Sequence, residues 1–377
     1  MSNKMINNFN LNNVVHYRDG QFPPQSIDFN QIITALLEAT NAIARYDQML
    51  KNMHNSEILL APLRSQEAVI SSRMEGTIST MEEILRYEAD AFNGDNLNVR
   101  NDVIETVLYQ RTLKNAQLAM QDGYPLSVHL LKTMHQQLLS LGRGANKSPG
   151  EFKKEQNYLA DTVSREILFV PISPEKLLDG LENLFHYINH HSDPVLIKTA
   201  VSHLEFEALH PFQDGNGRIG RMLITLMLWS SQIISAPYFY ISGYLEEHKN
   251  RYTHLMRQVS QTGDWHEWLN FFLNAIASQS QRNLQVAENI RDLYEQMKQQ
   301  FSEILASKHA LTVLDFVFTY PIFRNSQLSE KTDIPPATAN RFTKALYEQG
   351  ILSIMEESSG RKSTLYSFEK MLELVRV

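Results

Sequence analysis

Cysteine is absent from the 377 residues. That excludes disulfides, thiolate zinc sites and a cysteine nucleophile, and it agrees with a reducing compartment. A basic surplus is missing too. Lys and Arg total 35 against 42 Asp and Glu, a net charge of −7, which argues against a surface coated for nucleic acid. No apolar run approaches the roughly 20 residues of a membrane span. The most apolar segment, Met222 to Trp229, is interrupted by Ser230, Ser231 and Gln232. The start, Met1 to Val15, is Asn-rich and polar, with no basic stretch leading into an apolar one, so no signal peptide is expected. The spacing of the 15 Gly and 13 Pro predicts short loops and no long linkers. What remains is ordinary globular composition, 43% hydrophobic and 10% aromatic, with length enough for two or three domains. A cytoplasmic protein without membrane contact is the expectation.

Most of the chain reads as helix. Apolar residues recur at three- and four-residue spacing over 30–53, 100–121, 126–141, 175–190, 195–209 and 265–284. Ser173-Pro174-Glu175 supplies a start signal. One stretch departs from this habit. From Gly150 to Pro174 a polar centre is flanked by Tyr158 and Leu159 and by Ile167 to Val170, a pattern that predicts a β-hairpin or extended flap. After Phe301 the pattern changes again. Helices over 309–319, 326–332 and 336–349 precede two strands, Ile351 to Ile354 and Thr364 to Phe368, around the turn Ser358-Ser359-Gly360-Arg361. Three helices and a hairpin make the winged-helix plan. Residues 305–377 carry 9 Lys and Arg against 8 Asp and Glu, little positive charge for a DNA reader. DNA binding through this region and a protein-contact or dimer role both stay open.

Three apparent motifs fail on context. Gly215 to Gly220 satisfies G-x-G-x-x-G, but no buried strand precedes it and no βαβ unit surrounds it. Gly142 to Ser148 resembles a phosphate loop without the glycine before its lysine. His203, Glu207 and His210 share a helical face without H-E-x-x-H, and His186, His190 and His191 read as polar residues closing a helix.

The informative string is His210-Pro-Phe-Gln-Asp-Gly-Asn-Gly-Arg-Ile-Gly-Arg221. A helix ends at a histidine held by a proline, a tight Asp-Gly-Asn-Gly turn follows, and a new helix starts near Arg218. Amides at a helix N-terminus, with Asn216 and two arginines one turn apart, form an anion site suited to a di- or triphosphate. Gly215 and Gly217 let the backbone approach such a ligand closely. Asp214 is a hard oxygen donor beside it, the natural place for Mg²⁺ bridging phosphates. His210 faces the turn and can accept a proton from a hydroxyl. Phe212 is expected as a core anchor for the loop.

This string resembles the signature of the Fic family, H-x-F-x-[DE]-G-N-G-R-x-x-R, and agrees with it at every fixed position. The resemblance extends over roughly residues 60 to 285. Gly150-Glu-Phe, Gln156-Asn157 and Phe169-Val-Pro resemble the family's flap, and Tyr252 with Gly263-Asp264-Trp265 and Trp268 resembles the corner that closes the adenine side. Lys153 stands where an arginine is frequent, and Thr253 where a second tyrosine often follows. Ser71-Ser-Arg-Met-Glu75-Gly76 is similar to the family's inhibitory helix, [ST]-x-x-x-E-[GN].

The resemblance implies a mainly α fold: a Fic-type helical bundle with a β-hairpin flap, here followed by a winged-helix domain. The divisions expected are 1–100 for an N-terminal helical region carrying the inhibitory helix, 101–285 for the catalytic core, 286–307 for a connecting helix and 308–377 for the winged-helix region. It implies AMP transfer from ATP, with Mg²⁺, to a Ser, Thr or Tyr hydroxyl of a target protein and of the chain itself. His210 would be the general base and Asp214 the metal ligand. The nucleotide would be held by Gly215, Asn216, Gly217, Arg218, Ile219, Gly220 and Arg221, with Tyr252 flanking the base. The flap would align the target as an added strand. Glu75 would pair with Arg221 and occupy space meant for the γ-phosphate. AMP removal, another nucleotide donor, and a nucleotide-sensing DNA-binding regulator are the alternatives, and a homodimer through exposed helical faces is a further expectation.

Overall fold

The computed structural model describes residues 9–10, 14–53, 55, 59–91, 99–161, 164–360 and 362–376. Arg361 of the C-terminal turn, Thr162 and Val163 of the flap and most of the polar start lie outside the described residues. Among those described, no helix is long and apolar enough to cross a membrane.

Two helices form the centre of the molecule, α7 (Val195–Leu209) and α8 (Asn216–Ser230). Each buries 12 of its 15 residues, as expected for helices that are apolar nearly all round. Around them pack α2 (Ala61–Met74), α4 (Asn101–Gln121), α5 (Val128–Leu138), α6 (Leu177–His190) and α10 (Lys249–Thr262), while α3 (Met81–Ala91) lies on α2 and α4, and α9 (Ser242–Glu247) on α2. Helix α1 (Ile33–Asn52) lies along α11 (His266–Leu305), presenting Ala35, Ala39 and Ala42 at the interface side with Ile43 and Tyr46. Small residues at that spacing let two helices come close.

Helix α11 corrects one expectation. A core helix over 265–284 and a separate connecting helix at 286–307 are in fact one helix of 40 residues, about 60 Å long at 1.5 Å per residue. No Gly or Pro occurs between His266 and Leu305, so nothing in the backbone ends the helix at residue 285. Its first half is buried on several sides. Its second half keeps a single stripe, Ala287, Ile290, Tyr294, Met297 and Phe301.

The flap is present as β2 (Leu159–Asp161) and β3 (Glu166–Val170), antiparallel, with Ala160 opposite Ile167. A third strand, β1 (Val15–His16), joins the outer edge of β3 in parallel, pairing Val15 with Phe169. Two residues among polar neighbours carry no readable period, which is why the sequence showed only the hairpin.

The C-terminal region follows the expected helix order, α12 (Ala310–Thr319), α13 (Asn325–Glu330) and α14 (Pro336–Glu348). The strands β5 (Ser353–Glu356) and β6 (Leu365–Ser367) come next. An additional strand, β4 (Ile322–Arg324), completes a sheet ordered β4-β6-β5, and a last helix, α15 (Glu369–Val375), returns to α2 and α11. This region is not separate from the rest. Arg324, fully buried, donates from Nε to Asp90 of α3 at 2.7 Å, from Nη2 to Glu356 at 2.8 Å and from Nη1 to the Ser363 carbonyl at 2.9 Å. Arg86 of α3 meets the same Glu356 at 2.7 Å.

Removing one partner of a buried ion pair leaves the other charge uncompensated. Arg324→Met should therefore lower stability by about 3–5 kcal/mol in urea denaturation. A loss under about 1 kcal/mol, the value of an exposed pair, would show that the contact does not hold the C-terminal region in place.

Candidate active site

The turn between α7 and α8 is where the sequence concentrates its polar residues, and the structure shows how it is held. His210 takes the left-handed conformation, φ 45° and ψ 62°, and Gly215 does so at φ 79°. Each carbonyl at the base of the turn has a partner. The Leu209 carbonyl accepts from Lys153 Nζ at 3.0 Å, that of Pro211 from the Lys153 amide at 2.9 Å, and that of His210 from Asn157 Nδ2 at 3.0 Å. The Phe212 carbonyl accepts from Asn157 Nδ2 and Asn216 Nδ2 at 3.1 and 2.9 Å, while the Phe212 amide donates to Asn216 Oδ1 at 2.9 Å. Phe212 itself is fully buried, the core anchor expected of it.

His135 of α5 completes this support. The Gly150 amide donates to its Nδ1 at 2.9 Å, so the ring proton is placed on Nε2, which donates to the Asp214 carbonyl at 3.0 Å. Its ring stacks on Phe212 with centroids 3.6 Å apart and planes 6° from parallel. Burial lowers His135 to about 4, so it acts as a neutral brace.

A cavity of about 420 Å³ opens beside the turn. Its lining combines apolar side chains, Leu159, Leu168, Phe169 and Met256, and the Tyr252 ring with His210, Arg221, Lys249 and Glu75. That mixture fits a ligand with a flat apolar part and an anionic part. Burial, reinforced by the Lys153 charge, lowers His210 to about 4, so its imidazole is neutral and able to accept a proton at neutral pH. Tyr252 is nearly buried. Its hydroxyl meets His203 Nε2 at 2.8 Å, and its ring packs against Trp268 at 5.9 Å.

Helix α2 reaches the cavity at Arg221. Arg221 donates from Nε to Ser71 Oγ at 2.7 Å, and from Nη2 to the Ser71 carbonyl and Glu75 Oε1, both at 2.8 Å. Burial alone would raise the Glu75 carboxyl, but the charges of Arg221, Arg218 and Lys249 outweigh it and hold it below the ordinary value. Gly76, at φ 83°, ends the helix. Its amide returns to the Arg73 carbonyl and that of Thr77 to the Ser72 carbonyl, a left-handed stop that aims the preceding side chain. Lys249 Nζ caps the Met74 carbonyl at 2.7 Å, and Arg73 grips Glu246 twice at 2.7 Å. Gly217 makes the approach of Glu75 possible, since a Cβ there would lie 2.2 Å from Glu75 Oε1.

Of the residues singled out in the sequence, His210, Gly217, Arg221, Tyr252 and Glu75 line one cavity. Asp214 stands apart from it, 40% exposed, with Oδ1 accepting from the Gly215 amide at 2.6 Å. Arg218 is buried next to Asp214. Asn216 turns its side chain inward to close the turn on Phe212. Ile219 is fully buried in the core, and Gly220 packs on Phe206 and Glu207, where a Cβ would not fit. His203, set aside as a metal ligand, positions Tyr252. His135 and Glu105, which holds Arg143 and faces Arg218, were not found in the sequence. A lone histidine or glutamate in a helical pattern carries no signal of its own.

Comparison with known proteins bears on these features. Residues 33–117 match the Fic/DOC family N-terminal model, and residues 125–228 match the Fic/DOC family model. The chain is similar to protein adenylyltransferase fic-1 of Caenorhabditis briggsae, 28% identical over 142 residues, 37% of this chain and 26% of that protein. It is also similar to a probable protein adenylyltransferase of Aquifex aeolicus, 24% identical over 241 residues, 58% of this chain and 72% of that one. The chain thus spans about a quarter of the length of the fic-1 relative. In fold it resembles a Fic family protein from Desulfovibrio desulfuricans G20, with TM-score 0.57 and 18% identity over 92% of this chain and 98% of that one.

The bracing role of His135 is testable without any assay of activity. His135→Ala removes a buried ring and leaves the Asp214 carbonyl and the Gly150 amide without their partner. It should cost about 2–4 kcal/mol in urea denaturation. A loss below about 0.5 kcal/mol would mean that the turn holds itself.

Proposed function

The chain belongs to the Fic/DOC family, and from that premise we propose that it is a protein adenylyltransferase restrained by its own Glu75, moving AMP from ATP to a hydroxyl side chain of a target protein. The observation that carries this reading is the Glu75–Arg221 ion pair inside the cavity that also holds a neutral His210.

The base stacks against the apolar part of the cavity lining, with Tyr252 at its edge. Arg221, released from Glu75, holds the γ-phosphate, and the amides of the turn with Arg218 take charge developing at the α-phosphate. His210 accepts the proton of the incoming hydroxyl as its oxygen bonds to the α-phosphorus. The α–β bridging bond breaks, and pyrophosphate leaves with its electron pair. Asp214, half exposed beside the turn, supplies one hard oxygen donor. No group of three potential ligands occurs among the described residues; Asp214 would be the residue that holds Mg²⁺, a hard cation that takes oxygen donors. When bound there, the ion supplies neutralisation of phosphate charge. The target segment adds to the flap at Leu159–Asp161, because the outer edge of β3 already pairs with Val15–His16.

Restraint follows from the same contacts. While Glu75 occupies Arg221, a nucleotide entering the cavity lacks its γ-phosphate anchor and its α-phosphate sits off line for attack. Transfer of α-labelled AMP to protein should rise at least tenfold in Glu75→Gly and vanish in Glu75→Gly with His210→Ala. Equal, undetectable labelling in all three proteins while ATP still binds would overturn the assignment.

The acidity of His210 sets a second expectation. The neutral base is present above its pKa of about 4 and is lost only as the pH falls through that value. Removing Glu75 takes away a charge that raises His210, so the acid limb moves lower still. The rate of Glu75→Gly should stay level from about pH 7.5 to 6. A limb centred near the ordinary histidine value of about 6.5 would exclude His210 as the base.

A further inference from the structure

Arg218 is placed unusually for an arginine in an anion-binding turn. Its side chain is 3% exposed, and its Nε and Nη1 are buried without a hydrogen-bond partner. Two carboxylates stand near it: Asp214 Oδ1 accepts a long hydrogen bond from Nη2 at 3.4 Å, and Glu105 Oε2 lies 3.7 Å from Nη1. The two are not equivalent. Asp214 is 40% exposed, whereas Glu105, on α4, is 4% exposed and gripped from several directions. Glu105 Oε1 accepts from the Arg143 amide at 3.0 Å and from Arg143 Nε at 3.1 Å, and Oε2 accepts from Arg143 Nη2 at 3.2 Å and Thr77 Oγ1 at 3.4 Å. The chain closes over it at Gly142, where a Cβ would lie 2.9 Å from Glu105 Cγ.

We propose that Glu105 is a positioning residue for Arg218, and through it for the phosphate undergoing transfer. The inference rests on the nucleotide reading above in one respect: when Asp214 turns to a phosphate-bound cation, Glu105 is the carboxylate that remains beside Arg218. Arg143 also has a carboxylate of its own, since Asp102 Oδ1 lies 3.1 Å from its Nη2. Glu105 faces Arg218 across Nη1 without a hydrogen bond, and the Arg218 Nε donor is kept for an incoming anion. The arrangement also joins two parts of the site. Thr77, two residues beyond Glu75 in the stop that ends α2, bonds to the same Glu105 oxygen that faces Arg218. Glu105 thus fixes the exit of the restraining helix and the orientation of the anion-site arginine together.

Because Arg218 acts on the transferred phosphate, its loss of orientation should fall on turnover and leave ATP binding, carried by Arg221 and the apolar cavity, largely intact. The test is made on full-length protein in the Glu75→Gly background, with kcat and KM for ATP measured for Glu105→Gln, Glu105→Asp and Arg143→Met. Glu105→Gln should lower kcat at least tenfold with KM changed less than threefold, and Glu105→Asp, which keeps the charge, should recover part of the loss. Arg143→Met, which removes the neighbour and keeps the carboxylate, should stay within twofold. Equal losses in Glu105→Gln and Arg143→Met, or none in Glu105→Gln, would overturn the proposal. A second readout is independent of the donor nucleotide. In protein with ¹⁵N-labelled arginine, the Nε signal missing from Arg218→Lys should shift in Glu105→Gln and stay in place in Arg143→Met. An unmoved signal overturns the positioning role whatever the reaction is, whereas a moved signal without label transfer overturns the adenylyltransferase reading alone.

Discussion

Backbone carbonyls buried between two helices need donors, and the turn from Leu209 to Asp214 has no ladder of its own to supply them. The protein solves this from outside the turn. Lys153 and Asn157 come from the segment leading into the flap, His135 comes from α5, and Asn216 reaches back from the next helix. Everything chemical at the site depends on that arrangement. With the carbonyls held in this way, His210 and Gly217 are left lining the cavity. With Phe212 clamped between His135 and the core, the turn has one conformation available. The same groups account for the flap's position, since its first residues are the donors that hold the turn.

A second constraint acts on Arg221, which carries a full charge into a nearly dry interior. Such a group must be compensated or it destabilises the fold. Ser71 gives it a hydroxyl and a carbonyl, and Glu75 gives it a counter-charge. All three groups lie on or just past the end of one helix, so α2 serves as a ligand for the cavity. A triphosphate offers the same chemistry, several oxygens with negative charge. In the function proposed above, helix and nucleotide compete for a common partner through like interactions.

How much of this is legible in the sequence depends on the kind of signal. The chemical turn is legible because glycines, an acid, an amide and two arginines within twelve residues suit little besides an anion. The central helices are legible because their apolar residues repeat on every face. Glu75 stands out through the short pattern around it, and the structure supplies the reason for its serine: Ser71 Oγ accepts from Arg221. Asn216 is less legible, because an amide side chain beside glycines suits an anion as well as it suits a backbone, and its bonds to the Phe212 backbone show only in the structure. His135 and Glu105 are invisible for a different reason. Each acts across a long stretch of chain on a group that sequence order does not bring near. Strands of two or three residues, such as Val15–His16 and Ile322–Arg324, are too short for a period to declare itself. The break expected at residue 285 reflects a change in apolar pattern, which marks a helix leaving the core and not a helix ending.

That continuous helix has a mechanical consequence. Its first turn carries Trp268, which packs on Tyr252 of the cavity lining, and it ends where the C-terminal region starts. The C-terminal region is joined to the body a second time through Arg324 and Asp90, on the helix that follows Glu75. Beam and cross-tie close a ring that passes from Tyr252, along the rod, through the terminal sheet and back to the helix after Glu75. In a closed ring no member moves alone. A load applied to the terminal sheet is shared between the rod and the tie, and the tie leads back to the helix pair that carries Glu75.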